Sequence, residues 1–370
     1  MKMLPISFKQ TKFINPLNFL KSFLWFLLRR IQLKNTKKYK KIFLYGFNKS
    51  DLLSLSIPQQ VQIVQKTDNE TLILIKKFKF LLIFKFLFQL KNIRILDKNF
   101  FLSSEASTRL RLRYYDFSSL KEREKFISLS NENFETFKSL SNFESVAVLG
   151  TGPSYESARD IFLKNNKEIV SCNSAIYDDE LWNKKCRIIC FADPVFHFGI
   201  SDEAFRFKNK VIERFNYEKF YIICPIVAFP ILIDDWKIDA NYVIGFQPIY
   251  KNYKIGKERL LLSPNTSNVL TEFMLPFSVL ISKKIYFGGF DGRDKNEKDF
   301  WKYSKTTHQT LNEHKKDHPS FFDDRNIDKY YKSHIKTLNK QVLELESVGY
   351  EIYNVTHSNI DILNERNSSE

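Results

Sequence analysis

Apolar residues in this chain gather into short runs separated by polar stretches, and the lengths of those runs set the expected elements. Ser145-Val146-Ala147-Val148-Leu149 ends in Gly150-Thr151-Gly152-Pro153-Ser154. That is a β-branched run, a tight turn, and a serine placed to cap a helix over 155–165. The pattern then recurs. Glu168-Ile169-Val170-Ser171-Cys172-Asn173, Cys186-Arg187-Ile188-Ile189-Cys190-Phe191-Ala192-Asp193-Pro194 and Tyr221-Ile222-Ile223-Cys224-Pro225 each read as a strand. So do Lys284-Ile285-Tyr286-Phe287-Gly288-Gly289-Phe290-Asp291 and, after a helix over 327–347, the stretch 350–355. Nearly continuous apolar strands alternating with helices predict an α/β fold. The expected architecture over 144–365 is a Rossmann-like, mostly parallel sheet with helices on both faces.

The region before it is less regular. Lys41-Ile42-Phe43-Leu44-Tyr45-Gly46, Leu72-Ile73-Leu74-Ile75 and Ile93-Arg94-Ile95-Leu96-Asp97 read as short strands. The dense apolar run 78–90 predicts a buried helix, and the polar stretch 117–142 an exposed helix and linker. Residues 42–143 are therefore expected to form a small α/β elaboration of unknown role.

Charge changes the picture at the amino terminus. The net charge is +16, but residues 1–50 hold ten Lys, two Arg and no acid, leaving +4 for the remaining 320 residues. Basicity at one end disfavours a general nucleic-acid binder. Within 1–41, Phe19, Leu20, Phe23, Phe26 and Leu27 recur at helical spacing with cations on both sides. The run is shorter than the roughly 18–20 residues needed to span a bilayer. It reads as a basic amphipathic helix lying on an anionic membrane surface, or docked on the protein itself. The expected location is cytoplasmic, peripheral on the inner face of the membrane. Four cysteines, without a second pair at zinc-ligand spacing, fit a reduced compartment better than a disulfide scaffold or a structural zinc site. Self-association is left open.

Candidate chemistry gathers at strand ends, where ligands bind in open α/β sheets. Gly150 and Gly152 allow close backbone approach, and a helix amino terminus following them favours a phosphate. The third glycine of a dinucleotide fingerprint is missing, since Ala158 lies beyond its place. Asn173, Asp193 and Asp291 are site candidates by position, and each is also a common turn former.

These residues, taken together, resemble the family 42 bacterial sialyltransferases. Gly150-Thr151-Gly152-Pro153-Ser154, Cys172-Asn173-Ser174, the strand end at Asp193-Pro194, Thr266-Ser267 opening a helix, and Gly288-Gly289-Phe290-Asp291 follow one another as in that family. Related loops occur in motility-associated glycosyltransferases and in a pterin pyrophosphokinase-like family. The match covers roughly 145–365. Departures are Thr151 for an asparagine, Asp193 for an asparagine, and Asn268 for a glycine.

The resemblance implies a glycosyltransferase that takes an acidic sugar from a CMP-sugar donor, without metal or other cofactor, to a glycan or glycolipid acceptor. It implies a donor site formed by Gly150, Thr151, Gly152, Pro153, Ser154, Asn173, Ser174, Asp193, Thr266, Ser267, Asn268, Gly289 and Asp291. A general base is expected at His318, in Asp317-His318-Pro319, because an imidazole suits proton removal near neutral pH. His197 is the second candidate, as base or as a contact to the sugar. Tyr303 and Arg293, with Lys305, lie where the family places tyrosine hydroxyls on the leaving phosphate, a task a guanidinium also suits. No Asp-x-Asp pair occurs, and Asp234-Asp235 and Asp323-Asp324 are adjacent pairs ill-suited to share an ion. Two other classes fit the same strand ends. One is a magnesium-dependent phosphotransferase using Asp193 and Asp291. The other is a non-catalytic, membrane-associated binding protein.

Overall fold

The computed structural model describes residues 41–46, 62–69, 71–75, 85–86, 88–89, 93–95, 115, 118, 120–140, 143–184, 186–199, 202–249, 253–255, 261–264, 266–294, 304–307 and 326–368. The amphipathic segment at 1–40 and most of the apolar run 78–90 lie outside them.

The described residues form two parallel sheets. The smaller has strands β1 (Lys41–Tyr45), β2 (Gln62–Ile63), β3 (Thr71–Ile75) and β4 (Ile93–Ile95) in the order β2-β1-β3-β4. Phe86 is buried against it, edge-on to Phe43 and Tyr45 at 6.3 and 5.9 Å between ring centres. The three strands read from the sequence are here; β2, two exposed residues long, carried no apolar signal.

The larger sheet holds eight strands: β5 (Val146–Leu149), β6 (Glu168–Cys172), β7 (Ile188–Cys190), β8 (Tyr221–Pro225), β9 (Val243–Ile249), β10 (Leu262–Pro264), β11 (Lys284–Gly288) and β12 (Glu351–Asn354). Their order is β10-β9-β8-β7-β6-β5-β11-β12, and every neighbouring pair is parallel. From β5 the chain winds outward strand by strand to β10, then returns to lay β11 on the other side of β5. This is the α/β fold expected, with its reversal of winding between β5 and β11.

All four residues of β5 are buried, as a strand covered on both faces requires. Ala147 and Leu149 share one core with Ala158 and Phe162 of α2 (Tyr155–Lys164), Leu181 of the short α3 (Asp179–Asn183), and Phe207 and Val211 of α4 (Asp202–Tyr217). Val146 and Val148 face α1 (Leu120–Ser139), the helix ending in α5 (Leu275–Ile281), and α6 (Ile327–Glu346). The helix expected within 117–142 is present as α1, but it is packed on the sheet rather than exposed. Its Phe134 and Phe137 are buried, Asn133 Nδ2 donates to the carbonyls of Ala240 and Val243, and Ser130 Oγ accepts from Gly245 N. It is a layer of the large sheet, although it precedes residue 144. Strands β9 and β10 were not read from the sequence.

All four cysteines are unpaired and buried in the two cores. Burial pushes the thiols of Cys172 and Cys186 up to about 12. Among the described residues no helix is long and apolar enough to cross a membrane.

Candidate functional site

Parallel strands bring their carboxyl ends to one edge, so register alone decides which sequence candidates meet. Leu149 pairs with Gly288, which sets Gly150 level with Gly289. Val148 pairs with Val170 and Cys172 with Cys190, so Asn173 follows one step along the next strand and Asp193 leaves the one beyond. Gly150, Thr151, Gly152, Pro153, Ser154, Asn173, Ser174, Asp193, Gly289 and Asp291 thus share the edge around the reversal point. Open α/β sheets bind ligands in that crevice.

The two glycine turns there press on one another. Gly150 N donates to Gly288 O at 2.8 Å and Gly152 N to Gly289 O at 2.9 Å. A Cβ on Gly150 would stand 2.5 Å from Gly289 O, and one on Gly289 (φ +76°) 2.3 Å from Gly150 O. Only glycine fits either position.

Ser154 departs from its expected role. Its side chain makes no cap bond at the start of α2. Instead Asp291 reaches across from β11, and Ser154 N donates to both carboxylate oxygens at 3.1 and 3.2 Å. The helix amino terminus expected to favour a phosphate is served by a carboxylate of the chain itself. Ser154 Oγ is left buried with no protein partner. Asn173, in the left-handed region at φ 47°, buries an unpartnered Oδ1, and fully buried Ser174 an unpartnered Oγ. Buried polar atoms are rarely left alone, and three of them stand here on adjoining loops.

Asp193 is a turn former. Its Oδ1 accepts from Val195 N and Phe196 N at 2.7 and 2.8 Å. His197 lies under this turn, 6% exposed, with Nδ1 accepting from Asp193 N at 2.9 Å and its ring packed on Phe207 and Phe191. Nδ1 is therefore committed to the backbone, and His197 reads as part of the scaffold. The Arg293 guanidinium pairs with Asp328 at 2.7 Å and stacks on Tyr331.

A second turn follows β10 on the same edge. Ser267, at φ 58°, donates its N–H to Glu272 Oε2 at 2.8 Å, and its carbonyl accepts from Tyr330 Oη at 2.7 Å. Thr266 and Thr271 share a hydrogen bond through their hydroxyls, and Asn268 Oδ1 caps Leu270 N. The helix begins as a π-turn, Leu270–Met274, packed against β6 and α6. Such turns recur at functional sites. Burial pushes the Glu272 carboxyl up to about 7, although the N–H groups of Ser267 and Thr266 and the Ser263 hydroxyl favour its ionised form. Glu272 was missed from sequence; its signal was a lone acid inside the apolar run Val269-Leu270-Thr271-Glu272-Phe273-Met274. On α6, burial pushes the His334 imidazole down to about 4, holding it neutral.

Residues 304–307 dock on the first turn. Thr307 Oγ1 donates to Thr151 O at 3.1 Å and Thr306 N to Glu156 Oε1 at 2.9 Å. The next described stretch starts α6, where Asp328 meets Arg293. The described residues on either side of 308–325 therefore both touch this edge. His318 and Tyr303 lie outside the described residues. Among the described residues, no three His, Cys, Asp or Glu side chains gather as metal ligands would. Comparison of the chain with protein-family models, with curated proteins and with solved structures finds no match in any of the three.

Proposed function

We propose that this chain is a sialyltransferase-like glycosyltransferase that moves an acidic sugar from a CMP-sugar to a hydroxyl of a cell-surface glycan. One observation carries the reading. The glycine turn at 150–154 stands where the winding of the sheet reverses, and the unpartnered atoms Ser154 Oγ, Asn173 Oδ1 and Ser174 Oγ stand on the loops beside it. Hydroxyl and amide groups of this kind recognise the hydroxyls and ring edges of a nucleotide. The choice of CMP over other nucleotides, and of an acidic sugar, rests on the order of motifs shared with the family 42 enzymes.

In the proposed reaction the acceptor oxygen attacks the anomeric carbon while the bond from that carbon to the CMP phosphate oxygen breaks. His318 takes the acceptor proton as general base. Its assignment is supported by the resemblance and by the anchoring of both flanking stretches at the site edge. The Tyr303 hydroxyl and the positive charge of Arg293 would stabilise the departing phosphate. The basic segment 1–41 would hold the enzyme on the anionic inner face of the membrane, near a glycolipid acceptor.

Thermal melting of the full chain with CMP, UDP, GDP and ATP tests the donor, because a ligand of the native state raises the melting point. CMP is expected to stabilise most. Stabilisation by ATP alone, with activity lost to a chelator, would replace this reading with the phosphotransferase. Deleting residues 1–41 is expected to release the protein from the membrane fraction; unchanged fractionation would remove the membrane role.

A further inference from the structure

The nucleotide-site reading leaves open which part of the ligand faces the glycine turn, and the hydrogen bonds there bear on it. A turn that cradles a phosphate keeps its N–H groups for the anion. Here Gly150 N and Gly152 N are spent on the carbonyls of Gly288 and Gly289, and Ser154 N on the Asp291 carboxylate. That carboxylate lies against the turn, with Oδ2 2.3 Å from where a Gly152 Cβ would stand. The backbone that carries it is held from behind, since Asn359 N donates to the Asp291 carbonyl at 2.7 Å and Ser358 Oγ to the Phe290 carbonyl at 2.6 Å. A second anion at this spot would meet a fixed negative charge within a few ångströms.

A carboxylate is an acceptor with about four lone-pair sites, and one shared N–H leaves most of them available. Two hydroxyls on neighbouring carbons are the complementary donors. We infer that Asp291 makes the glycine turn a ribose site rather than a phosphate site, its carboxylate taking the 2′- and 3′-hydroxyls of the nucleotide while Ser154, Asn173 and Ser174 complete the pocket. The phosphate then lies away from the amino terminus of α2.

The inference rests on the proposed nucleotide site and is separable from it by experiment. Calorimetric titration of the full chain with CMP, 2′-deoxy-CMP and cytidine, with and without inorganic phosphate, is the measurement. The wild type is expected to bind CMP at least about tenfold more tightly than 2′-deoxy-CMP, as loss of a paired buried hydroxyl entails. Phosphate should leave cytidine binding unchanged. In Asp291→Asn, which keeps an oxygen for Ser154 N, the preference for ribose should shrink to about twofold. Its melting point reports folding, and Asp291→Ser serves as a second variant.

CMP and 2′-deoxy-CMP binding equally well would overturn the ribose assignment and leave the nucleotide site standing. So would phosphate displacing cytidine, or Asp291→Asn gaining tenfold for CMP through relief of repulsion. Binding of none of these ligands would overturn both.

Discussion

Two turns border the candidate site, and they are held in different ways. The one at 150–154 is fixed by backbone: paired N–H groups, two glycines in contact, and a carboxylate bridging from β11. The one at 266–268 is fixed by side chains, with the Ser267 peptide gripped at its N–H by Glu272 and at its carbonyl by Tyr330. Backbone contacts of the first kind cannot be adjusted without moving strands. The second kind hangs on one proton, because Glu272 titrates near neutrality. One turn is a fixed reference and the other is adjustable by its chemistry.

The comparison breaks most readily at Gly289. Gly289→Ala places a methyl 2.3 Å from a backbone oxygen in a left-handed residue, with no flexible side chain to give way. A loss of about 3–4 kcal/mol is expected in urea unfolding. A loss under about 1 kcal/mol would show that the backbone lock is soft.

Glu272 sharpens the contrast through pH. Its folded value of about 7 lies above the ordinary 4.5, so the folded state holds the proton more tightly. The corresponding stability is complete below about pH 4.5 and is lost as pH rises through 7, by up to about 3 kcal/mol. His334 works in the opposite sense, since its folded value is lowered to about 4 and stability rises from there toward 6.5. The difference between wild type and Glu272→Gln isolates the carboxyl, and it should decline across pH 4.5–7. A difference that stays flat would place Glu272 in water.

Removing the other grip, Tyr330→Phe, should cost about 1 kcal/mol and leave that pH slope in place. The smallest stability effect is expected for Ser154→Ala, within about 0.5 kcal/mol, because the hydroxyl has no protein partner. CMP affinity should nevertheless fall about fivefold or more. A variant that binds CMP normally would remove Ser154 from the site.

Strands covered on both faces were legible because they are continuously apolar, and the large sheet from β5 to β8, with β11 and β12, follows the pattern read along the chain. Strand β9 escaped because Gly245, Gln247 and Pro248 interrupt its apolar run, and β10 because it is three residues long. Helix α1 looked exposed because its apolar residues are few, and two of its four buried positions are the polar Ser130 and Asn133. At the site, the residues gathered at the edge were legible from strand ends, since parallel winding puts every such end on one side. Their partners were not. That Asp193 closes its own turn, and that Asp291 serves Ser154 N across 137 positions of chain, depends on register that no local pattern carries. The imidazole of His197 looked catalytic from its place beyond a strand; its packing on Phe207 is a tertiary fact.

The burial of all four thiols has a practical corollary. Reagents that attack sulfur need the deprotonated form and open access, and the native chain offers neither at these positions. Alkylation would thus time the opening of the two cores, each modified sulfur recording an excursion from the native state. A single cysteine placed at exposed Ser157 on α2 would take a fluorophore alone, three residues beyond Ser154.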